Sequence, residues 1–150
     1  MQFKTHVAFA FLISLFLIDF LKIKNQILFV IIVIFFSALP DLDKYNSKIS
    51  KKLKPISFII GLLSKHRGFF HSIFIPLLLS LILFSINKTI SLAVLTGYIS
   101  HLILDTLTIK GTTPLSPIIN KKIKGFIKVN SLLDNLLFYI FVILIIYKLI

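Results

Sequence analysis

Apolar residues in this chain fall into long continuous runs, not into an alternating pattern or a helical stripe. THVAFAFLISLFLIDFL, about Thr5 to Leu21, is the first, and QILFVIIVIFFSAL, about Gln26 to Leu39, is the second, stopped by Pro40. The others run from about Phe69 to Ile86, Thr89 to Leu107 and Leu132 to Ile150. A helix that is apolar on every side has no face for water. Crossing a bilayer takes roughly 20 such residues. The runs therefore predict an all-α, multi-pass transmembrane bundle of about five spans, forming a single domain over residues 1–150. Between the second and third runs, a lysine-rich stretch holds LKPISFIIGLL. It is too short to cross and predicts an interfacial helix. The connection from about Lys110 to Asn130 carries Gly, Pro and the alternating tail KIKGFIKVN, which predicts a small hairpin. The first run resembles a secretory signal peptide in its apolarity. No small-residue cleavage site follows, since the chain continues as LKIKNQ, so it reads as an uncleaved span.

Composition sharpens this picture. The 150 residues are 57% hydrophobic, with mean hydropathy +1.01, above the half-apolar average of soluble domains. Absence of cysteine excludes a disulfide framework and a thiolate metal site. A net charge of +12 in a soluble protein would suggest nucleic acid. In so apolar a chain, lysines flanking a bilayer are the better reading, so the lipid bilayer and not nucleic acid is the expected partner. Oligomeric state is not encoded in any of these patterns. With five spans, the 17 basic residues divide 13 to 4 between the two faces. The excess marks the richer face as cytoplasmic in an inner-membrane protein.

The 5 acidic residues are all aspartate, and there are 4 histidines. His6 opens the first span from the lysine-rich face, and Asp41 and Asp43 follow the second. His66 and His71 bracket the start of the third, with His71 in its first turn. His101 and Asp105 lie in the last turns of the fourth, and Asp134 opens the fifth. Only Asp19 falls at the opposite face. Groups scattered through the sequence thus meet at one membrane level.

SHLILD places His101 and Asp105 at i and i+4, about 40° apart on one helical face, with Tyr98 and Thr108 extending the stripe. Such a pair can bind one divalent ion or simply hydrogen-bond to tie helices together. Ionisable groups within a membrane are costly and usually functional, which favours the ion. PDLD gives two carboxylates that an extended segment would turn toward one centre. Alternatively, it is a solvated turn. In KHRGFFHS, His66 and His71 would sit about 140° apart on one helix, so a bend at Gly68 is expected. Arg67 offers a planar fork for phosphate oxygens, or else a basic anchor beside the membrane. His6 after Thr5 and Asp134 after Ser131 also suit ordinary first-turn positions. Histidines and aspartates without cysteine suit zinc or another borderline divalent ion. Two-metal sites of this kind activate water and stabilise phosphoryl transfer.

Taken together, TH near the start, LPDLD, HRGFFHS and GYISHLILDTLT resemble the membrane-bound metal-dependent hydrolases of the YdjM type, LexA-regulated inner-membrane proteins. The resemblance runs from Thr5 to about Asp134. It implies a metal site at His6, Asp41, Asp43, His66, His71, His101 and Asp105, with Asp134 matching a late acidic position. That family is distantly similar to zinc-dependent phospholipase C and to zinc nucleases for single strands, whose HxxxD or HxxxE helix His101 and Asp105 match.

These readings converge on a membrane-embedded hydrolase holding one to three divalent ions, zinc as first choice. Its substrate would be a phosphoester, from a phospholipid or a lipid-linked phosphate. Asp41 or Asp43 would act as base or bridge the ions, and Arg67 would hold a non-bridging oxygen. The rivals are a transporter of divalent cations or protons, and a non-catalytic membrane scaffold with a structural metal.

Overall fold

The computed structural model describes residues 1–43 and 71–150. Among them the chain forms five α-helices: α1 (Phe3–Leu21), α2 (Gln26–Ala38), α3 (Phe74–Phe84), α4 (Lys88–Thr106) and α5 (Leu132–Leu149). α1, α4 and α5 have 19, 19 and 18 residues and are long and apolar enough to cross a membrane. At 1.5 Å per residue they reach about 27–28 Å, close to the roughly 30 Å hydrocarbon core. α2 and α3 have 13 and 11 residues, about 20 and 16 Å, so three helices and not five have spanning length. The interfacial helix expected around LKPISFIIGLL lies outside the described residues.

Two prolines set these lengths. A ring nitrogen has no N–H to donate, and the ring clashes with the carbonyl four residues earlier. Pro40 therefore ends α2, and the chain tightens into a 3-10 turn over Leu39–Asp43; PDLD is not extended. Pro76 is the third residue of α3, a first-turn position where a missing N–H costs nothing. A helix begun at Phe69 would have needed that N–H for the Ser72 carbonyl. The third helix therefore starts five residues later than its apolar run, and His71 precedes the helix. At the other starts, the Asn87 side chain accepts from Thr89 N and Ile90 N (2.9 and 3.1 Å). The Ser131 hydroxyl accepts from Asp134 N.

α4 is the centre of the bundle, packed against α1, α2 and α3, while α5 packs against α1. Direction alternates along the chain. Ser80 of α3 bonds Ser91 of α4 at 2.8 Å, and Lys148 near the end of α5 pairs with Asp19 near the end of α1. The starts of α1, α3 and α5 thus share one end of the bundle with the ends of α2 and α4. Ala10, Ile18, Ile23, Phe29, Val33 and Ala93 form the core of the far half. The outside is apolar too: Phe20, Ile27 and Leu81 are 82%, 79% and 72% exposed. Side chains of this kind belong against acyl chains and not water.

No strand forms among the described residues. The KIKGFIKVN tail does not fold on itself. It pairs with the segment leaving α4 through two isolated bridges, Thr108 to Ile127 and Thr112 to Ile123. Between them Gly111 turns at φ +60, and Gly125 lies so close to the Leu107 carbonyl that a Cβ would collide with it. The chain bends there, so the alternation never becomes a regular ladder.

Candidate metal centre

Four separate segments bring ionisable side chains to the end of the bundle where α2 and α4 finish. α1 supplies His6, the 3-10 turn Asp41, the segment before α3 His71, and α4 both His101 and Asp105. His6, His71, His101 and Asp105 are only 1–2% exposed. Asp41 is half-buried and stands at the rim. Two groups have ligand-type atoms all within 4.8 Å of one another: His6, His101 and Asp105, and Asp41, His71 and His101.

Asp105 is the hub. Its Oδ1 lies 3.4 Å from His6 Nε2, and its Oδ2 lies 3.8 Å from His71 Nε2 and 3.7 Å from His101 Nε2. The last two separations exceed direct hydrogen bonds. The His6 and His101 rings stack at 4.1 Å, and His71 meets His101 edge-on at 5.5 Å. The amino group of Met1 also reaches the hub, 2.9 Å from Asp105 Oδ1 and 3.1 Å from His6 Nε2.

His101 is oriented from behind. Its Nδ1 lies 2.7 Å from the Ser37 carbonyl oxygen. A carbonyl can only accept, so Nδ1 carries the proton and donates. In the neutral ring, Nε2 then presents its lone pair toward Asp105. Metal-binding histidines are commonly fixed in this way, through the ring nitrogen that does not bind. His101 Nε2 and His6 Nδ1 are buried without a hydrogen-bond partner among the described residues. A buried polar atom left without a partner costs about 1–3 kcal/mol. A bound divalent ion removes that cost at Nε2, and the donor set of three imidazoles and two carboxylates fits a borderline ion such as zinc.

The structure thus brings together His6, Asp41, His71, His101 and Asp105. Asp43 closes the 3-10 turn, while His66 and Arg67 lie outside the described residues. Asp134 is fully buried but belongs to neither group. Its carboxylate accepts from Gln2 N at 3.1 Å, Thr5 Oγ1 at 2.9 Å and Asn130 N at 2.9 Å, fastening α5 to the start of α1. Asp134→Asn is therefore expected to lower stability by about 1.5–3 kcal/mol, the scale of charge-assisted hydrogen bonds, with metal per chain unchanged. Thermal melts paired with elemental analysis check this, and a fall in metal content would make Asp134 a ligand. Thr108 is a helix terminator and not a ligand, its hydroxyl donating to the Asp105 carbonyl at 2.8 Å.

Two contributors escape a reading of side-chain types. Ser37 acts through its backbone carbonyl, which no sequence pattern announces. Thr112 donates to the His71 carbonyl at 3.3 Å from across a loop. Gly97 did leave a signal, as a lone glycine inside an apolar helix.

The sequence model of one family, described as YdjM inner membrane protein, matches residues 1–149. The chain is 34% identical over 107 residues to the uncharacterized protein YvsG of Bacillus subtilis (strain 168). That match covers 67% of this chain and 64% of YvsG, so the chain spans less than two thirds of that relative. No solved structure matches.

Proposed function

The chain belongs to the YdjM inner membrane protein family, and on that premise we propose that it is a membrane-embedded, metal-dependent phosphoester hydrolase. Its substrate class would be a phospholipid or lipid-linked phosphate. The observation that carries the proposal is the buried cluster of His6, His71, His101 and Asp105 with Asp41 at its rim, set at the end of a membrane bundle. A divalent ion held there supplies a Lewis acid for a phosphoryl oxygen and lowers the pKa of water. His6, His71, His101 and Asp105 hold the ion. Asp41, half-buried at the rim, takes the proton from the attacking water, with Asp43 as its neighbour in the same turn. Arg67 offers its guanidinium fork to a non-bridging oxygen. His66 is a further ligand on its sequence position.

The distribution of charge supports a hydrolase over a transporter. Ion and proton pathways across a membrane are usually marked by ionisable groups along them. Among the described residues, no acidic or basic side chain lies between His6 and Asp19 of α1, between Lys88 and His101 of α4, or between Asp134 and Lys148 of α5. Each gap is about 18 Å or more of helix.

Protein reconstituted with phosphatidic acid or phosphatidylglycerol is expected to release phosphate or headgroup. Chelation should stop the release and added zinc restore it. Asp41→Asn should lower the rate by about 10²–10⁴-fold, the scale of a general base, while keeping its metal. Metal-loaded protein inert toward both phosphomonoesters and phosphodiesters would leave the scaffold reading. Metal accumulation inside sealed proteoliposomes would establish the transporter.

The 13-to-4 division of basic residues supports a centre facing the cytoplasm. The chain has no cysteine, so single cysteines report cleanly. Lys88→Cys is expected to react with an impermeant reagent from outside the cell, and Lys124→Cys only after lysis. The reverse pattern would turn the centre outward.

A further inference from the structure

The opposite end of the bundle carries a cavity of about 390 Å³ between the α1–α2 turn and the start of α4. That volume lies within the roughly 300–1,000 Å³ of small-molecule sites. Lys22, Lys24 and Lys88 line it, and no acidic side chain does. Among the described residues, the other charged side chains at this end are Asp19 and Lys148, which pair with each other. Three of the four described lysines at this end therefore converge on one cavity, uncompensated within its lining. The floor is apolar, with buried Phe29 and half-buried Ile32 and Leu92.

A second cavity of about 580 Å³ adjoins the first. It shares Lys24, Asn25 and Leu28 and continues over Ile27 and Ile31 of α2. Ile27, Ile31 and Phe35, spaced four residues apart, are 79%, 58% and 57% exposed. They form one apolar stripe leading from the lysines toward the bilayer centre. At the head of this stripe α2 starts without a side-chain cap, since Asn25 makes no such hydrogen bond. Its first N–H groups add to the positive potential of the lysines.

We propose that this end binds an anionic phospholipid, its phosphate-bearing headgroup among Lys22, Lys24 and Lys88 and an acyl chain along Ile27, Ile31 and Phe35. A zwitterionic lipid would bring its own cation into the same lysines, so the site selects for net negative charge. It is separate from the metal centre and independent of whether the chain is a hydrolase.

Native mass spectrometry of the full chain from detergent tests this, with phosphatidylglycerol or phosphatidylcholine added. Wild type should hold phosphatidylglycerol in preference to phosphatidylcholine. The triple variant Lys22→Gln, Lys24→Gln, Lys88→Gln should lose the preference, by about fivefold for each charge removed. The control Lys121→Gln, Lys122→Gln, Lys124→Gln, at the metal end, should keep it. Far-UV circular dichroism reports folding. If the triple variant does not fold, the single charge reversal Lys24→Glu is read instead. Equal retention of the two lipids, or a preference that survives substitution of Lys22, Lys24 and Lys88, overturns the proposal. So does glycerol phosphate binding as tightly as the lipid, since the apolar stripe would then contribute nothing.

Discussion

Wild-type protein purified with zinc is expected to retain a divalent ion that His101→Ala loses. His101 is common to both groups of ligand-type atoms, so its removal dismantles each. Its Nδ1 is committed to the Ser37 carbonyl, leaving Nε2 as its one binding atom. A single imidazole lone pair binds one ion, so the two groups cannot both be filled through His101. His101 would therefore hold an ion together with His6, His71 and Asp105, with Asp41 at the rim. Loss of outer-shell partners alone costs 10–100-fold in affinity. Loss of a ligand should cost at least that, and metal per chain in His101→Ala should fall below about a tenth of wild type. His6→Ala and His71→Ala each touch one group and should show smaller losses. Elemental analysis gives the stoichiometry, and His101→Asn with a thermal melt separates lost binding from lost folding. Wild type that stays empty after zinc reconstitution, or folded His101→Ala that stays full, would sink the metal centre.

How much of this was legible in the sequence depends on which physics decides each feature. Apolar runs report burial and lipid exposure together, so α1, α2, α4 and α5 fall close to their predicted limits. Alternation of direction follows from connectivity alone and places His6, Asp41, His101 and Asp105 at one end. Apolarity says little about where a helix starts. The run from Phe69 was read as helix throughout, although Pro76 carried the information that it begins later. The spacing of the carboxylates in PDLD leaves an extended segment and a turn both open, and the proline favours the tightened helical end. Residue type, membrane level and the family resemblance place Asp134 at the metal site. Its oxygens instead accept from Thr5 Oγ1 and from backbone N–H groups, which depends on where Gln2 and Asn130 come to rest. Ser37 was invisible for the same reason, because its contribution is a carbonyl.

Gly97→Ala is expected to weaken both the fold and the centre, a coupling that a purely local effect would not give. Gly97 lies where α4 crosses α2. A Cβ there would collide with the Val33 carbonyl oxygen and stand 3.1 Å from both Phe36 Cβ and Ser37 N. Backbone cannot rotate aside as a side chain can, so the helices must part or shift. Overpacking of this kind costs about 1–3 kcal/mol. In a bilayer, small residues are what allow two helices to approach so closely. The strained segment, Val33 to Ser37, is also the one whose Ser37 carbonyl accepts from His101 Nδ1 at 2.7 Å. Moving α2 outward lengthens that bond and frees the His101 ring to turn Nε2 away from Asp105. Metal affinity should then fall by about 10–100-fold, the scale of a lost orienting partner, although no ligand is changed. Ala93→Gly, one turn earlier on α4 at a fully buried position, is the control. It should lower stability through backbone entropy, by about 0.5–1 kcal/mol, and leave metal affinity intact. A melt in detergent beside zinc titration reads both quantities. If Gly97→Ala loses stability while binding zinc as tightly as wild type, the α2–α4 crossing does not set the orientation of His101.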